Sequence, residues 1–287
     1  MDKLKVGTRK SQLSRRQTDI AIGALKKAHP DLDVEIVPFQ TRGDTILDKP
    51  LWQLSNKGKG VFASEFEEMI LRGEIDIAIH SGKDLPIFLA DGLEILGVVK
   101  RDDPRDVLVM PKGRTPEECK TIGTGSLRRE QCAAQVFPWA ECRLIRGNIH
   151  TRLKKLMDGD YDAIILAKAG LDRMGITEAD GYTFRILSTE EFLPAACQGI
   201  VVAEGKPALA DFVGKMTDEE TKYLFETERE VLMQLNADCS EPVAAFAELK
   251  GDEMRLRAMY GAVYEEGIAP VADRLQLAAD VVGRLKP

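Results

Sequence analysis

Histidine is scarce in this sequence. His29, His80 and His150 are the only three, and none stands at a metal-ligand spacing from a second ligand, so a zinc centre is not expected. The five cysteines, Cys119, Cys132, Cys142, Cys197 and Cys239, are odd in number and form no C-x-x-C pair, so disulfides are not expected either. No apolar run approaches the ~20 residues that a membrane span needs. Met1-Asp2-Lys3-Leu4-Lys5-Val6 lacks the apolar core and cleavage site of a signal peptide, and the expected compartment is the cytoplasm. Excess positive charge is absent too. Forty basic residues face 47 acidic ones, for a net charge of -7, which excludes a general nucleic-acid binder. Gly-Lys pairs occur in Asn56-Lys57-Gly58-Lys59-Gly60, but the G-x-x-x-x-G-K-[ST] spacing of a phosphate loop does not.

What is present is an ordinary globular composition, 44% hydrophobic and 30% charged over 287 residues, enough for two or three domains. Strand and helix patterns alternate from the start. Strands are predicted at 4–8, 33–39, 75–79 and 93–99, with helices at 11–27 and 62–71. The charged, proline-containing run Arg101-Asp102-Asp103-Pro104-Arg105-Asp106 marks a domain crossing. A second series follows, with strands at 121–123, 143–145 and 162–166 and helices at 126–134 and 149–157. Alternation of this kind argues for mainly parallel sheets. The halves echo each other: Val6-Gly7-Thr8-Arg9-Lys10-Ser11 resembles Ile122-Gly123-Thr124-Gly125-Ser126, and 73–79 resembles 159–165. The end of the chain changes character, with a helix at 218–235, a polar loop at 236–242, a hairpin over 243–249 and 254–260, and a closing helix at 270–285.

Arginines gather at predicted strand ends and helix starts. Arg9 and Ser11 follow the first strand; Ser126, Arg128 and Arg129 open a helix after Gly123-Thr124-Gly125; Arg146-Gly147-Asn148 precedes another helix with Arg152 one turn in; Arg173 follows Ala169-Gly170-Leu171. Ligands of open α/β sheets sit beyond the carboxyl ends of strands, and helix N-termini attract anions. Basic residues early in a helix oppose its dipole, and an anionic ligand would give them a reason. His80-Ser81-Gly82-Lys83-Asp84-Leu85-Pro86 places a lysine, a carboxylate and a hydroxyl directly after a buried strand. Asp84 there could accept protons or stabilise a cation; alternatively the pair is a solvated turn. The segment between Thr41-Arg42-Gly43-Asp44 and Gly60 has little regular pattern, as functional lids often do. Cys239 lies in a polar loop rather than an apolar run. It could be a covalent attachment point, although Asp238 beside it should raise its pKa, or simply a structural thiol.

Taken in order, Gly7-Thr8-Arg9-Lys10-Ser11, Thr41-Arg42-Gly43-Asp44, the 80–86 run, the 101–106 run, Gly123-Thr124-Gly125-Ser126-Leu127-Arg128-Arg129, Arg146-Gly147-Asn148-Ile149-His150-Thr151-Arg152-Leu153, Leu166-Ala167-Lys168-Ala169-Gly170-Leu171-Asp172-Arg173, Gln198-Gly199 and the Cys239 loop closely resemble the porphobilinogen deaminase, or hydroxymethylbilane synthase, family across nearly the whole chain. The resemblance implies an α/β fold of two doubly wound domains like periplasmic binding proteins and a small α+β C-terminal domain. Domain 1 would comprise 1–99 and 196–216, domain 2 103–193 and domain 3 217–287. It implies a dipyrromethane cofactor joined by a thioether to Cys239, and an enzyme that links four porphobilinogen molecules head to tail, releasing ammonia and then hydroxymethylbilane. Asp84 matches the catalytic aspartate. Arg9, Ser11, Ser81, Lys83, Thr124, Ser126, Arg128, Arg129, Arg146, Gly147, Arg152, Arg173 and Gln198 match residues that bind cofactor and substrate. The implied protein is a cytoplasmic monomer without metal, nucleic acid or membrane partners.

The sequence departs from the family at Gly82, where methionine or leucine is usual, at Ala237-Asp238, where Gly-Gly is usual, and at Gly125 for the common serine. Two competing readings stand beside the enzyme: a non-enzymatic two-domain binding protein for small anionic ligands, and a divergent deaminase with impaired cofactor loading.

Overall fold

Residues 3–41, 63–237 and 241–286 are described by a computed structural model. The 43–60 segment and Cys239, both singled out above, lie outside the described residues.

The first sheet takes β1 (Leu4–Arg9), β2 (Val34–Phe39), β3 (Ile77–Ser81), β4 (Glu94–Val98) and, from much later in the chain, β10 (Val201–Gly205), in the order β2-β1-β3-β10-β4. The second takes β5 (Asp106–Pro111), β6 (Thr121–Gly123), β7 (Glu141–Arg143), β8 (Ala163–Ala167) and β9 (Tyr182–Ile186), in the order β7-β6-β8-β5-β9. The two windings are the same. In each, a parallel trio is followed by a strand that runs antiparallel to both its neighbours, β10 in one sheet and β5 in the other. The echoed sequence pairs fall on equivalent strands, β1 with β6 and β3 with β8. Gly7 and Gly123 hold the same place in them, where a Cβ would come within 2.4 Å of Ile75 Cδ1 and 2.9 Å of Ile164 Cγ2 respectively.

The expectation of mainly parallel sheets needs correction, because the chain crosses between the sheets twice and each crossing delivers an antiparallel strand. Two smaller differences are local. Strand β7 lies at 141–143 rather than 143–145, because Leu144 points outward while Ile145 turns into the core. Strand β3 extends to Ser81, past the predicted end at 79.

Helix α1 (Gln12–Ala28) starts at Ser11, whose hydroxyl accepts from Ser14 N at 3.1 Å. Its buried face begins polar, with Ser14, Gln17 and Thr18, and becomes apolar at Ala21 and Leu25. Thr18 Oγ1 donates to Thr8 Oγ1 at 2.8 Å and so fastens this face to β1. Helix α2 (Ser64–Leu71) buries Phe66 and Ile70. Helix α3 (Leu127–Val136) is capped by Ser126, and α4 (Ile149–Met157) by Asn148, whose side chain accepts from Thr151 N at 2.9 Å. Short helices α5 (Lys168–Arg173) and α6 (Ala210–Val213) follow β8 and β10.

The C-terminal part pairs α7 (Glu219–Leu235), capped by Asp218, with a sheet β11 (Val243–Lys250), β12 (Glu253–Tyr260) and β13 (Val263–Pro270), closed by α8 (Arg274–Leu285). The third strand was not expected; Gly267 and Pro270 interrupt its pattern and much of it is exposed. One face of this sheet packs with α7 and α8 through residues such as Ala245, Leu256 and Val281. The other sends Ala244, Phe246 and Met259 into the core of the second sheet beside Phe137 and Phe192. Among the described residues no helix is long and apolar enough to cross a membrane.

The two crossings run side by side. Val99 N donates to Val201 O at 2.9 Å and Asp102 N to Gly199 O at 3.1 Å. Gly199 has φ +86, and a Cβ on it would lie 2.6 Å from Asp102 O. A side chain there meets both a disfavoured backbone and a backbone wall. Gly199→Ala is therefore expected to cost about 1–3 kcal/mol, read as a lower denaturation midpoint than that of Gly251→Ala, a turn glycine with nothing nearby.

Candidate functional site

The strand ends of the two sheets converge on a buried carboxylate. Asp106 opens β5 with no exposed surface. Its Oδ2 accepts from Arg128 Nη2 at 2.7 Å, and its Oδ1 from Arg129 Nη2 at 2.7 Å and Gln198 Nε2 at 3.0 Å. The remaining guanidinium bonds go to backbone: Arg128 Nη1 donates to Leu193 O at 2.6 Å and Arg129 Nη1 to Ile165 O at 2.8 Å. Both arginines sit in the first turn of α3, where the dipole disfavours them, and both turn inward to an anion. Burial alone would raise the Asp106 pKa, but Arg128, Arg129 and Lys83 overcome it and hold the carboxyl at about 2.

Lys83 and Asp84 occupy a one-turn helix, Gly82–Asp84, at the carboxyl end of β3. Lys83 Nζ donates to Gln198 Oε1 at 3.1 Å, and the Gln198 amide also donates to Pro104 O at 2.7 Å. Gln198 thus links the Lys83 turn to Asp106 across the crossing. Burial, and then Arg129, push the Lys83 pKa down to about 8 against the pull of Asp84 and Asp106. Arg152 lies in the same field. Burial and its neighbours Arg129 and Arg146 lower it to about 10, while Asp84 pulls the other way. Its Nε donates to Gly147 O at 2.7 Å, and Gly147 adopts φ +120. Arg146 is lowered by burial and by Arg9, so arginines at the end of β1 and ahead of α4 face each other across the two sheets.

The structure therefore brings Arg9, Lys83, Asp84, Arg128, Arg129, Arg146, Arg152 and Gln198 together. Ser11 and Ser126 are helix caps at its rim, and the Thr124 hydroxyl accepts from Ser126 N at 3.2 Å. Ser81 ends β3 opposite Val201. Arg173 stands at the crossing, its Nε donating to Asp102 Oδ2 at 2.8 Å and its Nη2 to Gly199 O at 2.7 Å. Cys239 is not described, but Ala237 and Val243 on either side of its loop share one apolar cluster with Ala196, Cys197 and Leu85. That cluster adjoins both Gln198 and the Lys83–Asp84 turn.

Asp106 was quoted above only within the charged crossing and not as a site residue. Its one signal is a carboxylate opening the uninterrupted apolar run Val107-Leu108-Val109-Met110. Glu228 on α7 carried less signal still. It is fully buried, accepts from Arg101 Nη1 at 2.7 Å, Cys197 N at 2.6 Å and Ala247 N at 2.8 Å, and so ties the C-terminal part to the crossing.

Against this geometry the comparisons are specific. The family model described as porphobilinogen deaminase, dipyromethane cofactor binding domain, matches residues 4–211. The chain belongs to the porphobilinogen deaminase family. A porphobilinogen deaminase of Acetivibrio thermocellus is 40% identical over 260 residues, covering 90% of this chain and 87% of that protein. One from Streptococcus sanguinis is 40% identical over 272 residues, covering 90% and 86%. Among solved structures, the periplasmic aliphatic sulphonate binding protein SsuA from Escherichia coli covers 82% of this chain and 70% of its own at 14% identity and a TM-score of 0.43. That likeness bears on no function.

The residues present fit the cofactor that the family model names. Among the described residues, six cationic side chains (Arg9, Lys83, Arg128, Arg129, Arg146 and Arg152) gather with two carboxylates, Asp84 and Asp106, and burial first, then neighbouring positive charge, lowers the pKa of Lys83, Arg129, Arg146 and Arg152. A group bearing several carboxylates suits a place where cationic side chains gather.

Removing Asp106 would leave its arginines uncompensated. Asp106→Asn is expected to destabilise the protein by about 3–5 kcal/mol. Because the folded pKa is depressed, this contribution is present above the unfolded carboxyl value of about 3.9 and is lost as pH falls through about 2. Denaturation of both proteins between neutral pH and pH 2 should show the gap closing.

Proposed function

We propose that this chain works as a hydroxymethylbilane synthase, joining four porphobilinogen molecules head to tail with release of ammonia. The observation that supports this reading most is the half-buried Asp84 carboxylate amid a cluster of buried and half-buried cationic side chains. Dipyrromethane, bound through a thioether to Cys239, supplies the pyrrole α-carbon at which the chain is extended. Lys83, Arg9, Arg146 and Arg152 take the acetate and propionate groups of the pyrroles, since each brings positive charge to the strand ends of the two sheets. Arg128 and Arg129, whose Nη atoms are committed to Asp106 and backbone carbonyls, contribute their field and hold the wall in place. Ser11, Ser81, Thr124, Ser126 and Gly147 line the strand ends and offer hydroxyl or backbone groups, and Arg173 and Gln198 brace the crossing. Asp84, kept company by Lys83, Arg129 and Arg152, accepts a hydrogen bond from the reacting pyrrole N–H and stabilises positive charge there as ammonia leaves.

On this reading the chain divides into domain 1 (1–99 and 196–216), domain 2 (103–193) and domain 3 (217–287), and is a cytoplasmic monomer.

Intact-mass measurement of freshly purified protein tests the reading. The wild type is expected to exceed its polypeptide mass by one dipyrromethane, and Cys239→Ala to show the bare chain. A bare wild-type chain would instead favour a carrier of small anions. Asp84→Ala is expected to stay folded and lose turnover by about a hundredfold or more; normal turnover would sink the assigned role. Lys83 gives a pH signature. Its folded pKa is lowered to about 8, so its charge is present below that value and lost above it. KM for porphobilinogen should rise by about tenfold as pH passes through 8, the worth of one charged hydrogen bond, and the rise should move to higher pH in Lys83→Arg.

A further inference from the structure

Gly82 and Cys197 meet beneath the Lys83–Asp84 turn. Gly82 is buried and its N–H donates to Ile200 O at 2.9 Å. A Cβ built on Gly82 would lie 2.9 Å from Cys197 Cβ, 3.3 Å from Cys197 O and 3.3 Å from Phe225 Cε2. The space is taken. Cys197 itself has φ 60, and the only other described non-glycine residue with positive φ is Asn236. Asn236 caps α7 and belongs to a residue type that tolerates this conformation; a cysteine does not share that tolerance.

Cys197 is held there firmly. Its N–H donates to Glu228 Oε2 at 2.6 Å, its carbonyl accepts from Ile200 N at 3.2 Å, and its thiol lies 3.7 Å from Phe225 O as donor. Burial, and then Glu228, push the thiol pKa far up, so it stays a neutral packing group. We propose that Cys197 is a positioning residue for the Lys83–Asp84 turn, its side chain filling the slot that a side chain at position 82 would otherwise fill.

The connectivity gives the contact its leverage. Cys197 is bonded to Gln198, Gln198 Oε1 accepts from Lys83 Nζ at 3.1 Å, Lys83 is bonded to Gly82, and Gly82 packs on Cys197. The four residues close a ring. A change of size at 82 or 197 has to be taken up by the Lys83–Gln198 hydrogen bond and by the direction of Asp84. A glycine opening this turn would otherwise leave it loose; the cysteine wedge removes that freedom.

The proposal rests on the reading of Asp84 as the reacting carboxylate, and a double-mutant cycle separates the two. Gly82→Ala is expected to lower kcat by roughly tenfold or more with KM within about twofold, and to speed amide hydrogen exchange at residues 83–85. Cys197→Gly removes the wedge and relaxes the backbone, and in that background Gly82→Ala should recover most of the lost kcat and the slow exchange. If Gly82→Ala alone does not fold, a folded and active double variant still supports the pairing, and a double variant that fails as the single does overturns it. Equal losses from Gly82→Ala with and without Cys197 overturn it as well. The exchange measurement needs no turnover, so it judges the wedge even if Asp84→Ala proves active and the reading of Asp84 falls.

Discussion

A buried carboxylate held by two arginines governs this structure. A carboxylate as deeply placed as Asp106 is tolerated only because Arg128 and Arg129 grip it from α3 and Gln198 from the second crossing. Those guanidinium groups in turn can stand at the start of a helix only because the anion is there. The pairing fixes where β5 begins, where α3 can sit and how Gln198 must turn. Through Gln198 it also fixes Lys83. Around this knot further cationic groups gather: burial first, and then neighbouring arginines, lower the proton affinity of Lys83, Arg152 and Arg146. A molecule of net charge -7 thus gathers several cationic side chains where the strand ends of its two sheets meet, a place suited to a small polyanion.

Much of the fold could be read from the sequence because its strands and helices obey simple periodicities and caps. Ser11, Ser126 and Asn148 cap α1, α3 and α4 at or beside the expected helix starts. The echo of Gly7-Thr8 in Gly123-Thr124 is legible because both glycines face a side chain that leaves no room for a Cβ. What could not be read is long-range. Nothing local says that Val201–Gly205 inserts between β3 and β4, or that β5 runs against its neighbours, because the antiparallel sense follows from the path of two crossings. Strand β13 is not legible because its residues are largely exposed and its sequence does not alternate apolar with polar residues.

The site divides in the same way. Residues at strand ends and helix starts were legible since position and chemistry coincide there, as at Arg9, Lys83 and Arg146. Asp106 was not, because a carboxylate in a charged run looks like solvent-facing sequence until its partners, 22 and 23 residues on, fold back to it. The departure at Gly82 reads from sequence alone as a gain in flexibility. In three dimensions Cys197 and Phe225 fill the space, so the same glycine belongs to a tightly occupied junction.

The returning strand also bears on synthesis. Sheet one waits for β10 while the whole second sheet is made, from Val98 to Val201. At roughly 5–20 residues per second, β3 and β4 therefore spend about 5–20 s after emerging with a central partner missing and their inner edges open. Unpaired edges of that kind template pairing with other chains. The second sheet, contiguous in sequence, has no such interval. The hazard of mispairing during synthesis therefore falls mainly on the first hundred or so residues.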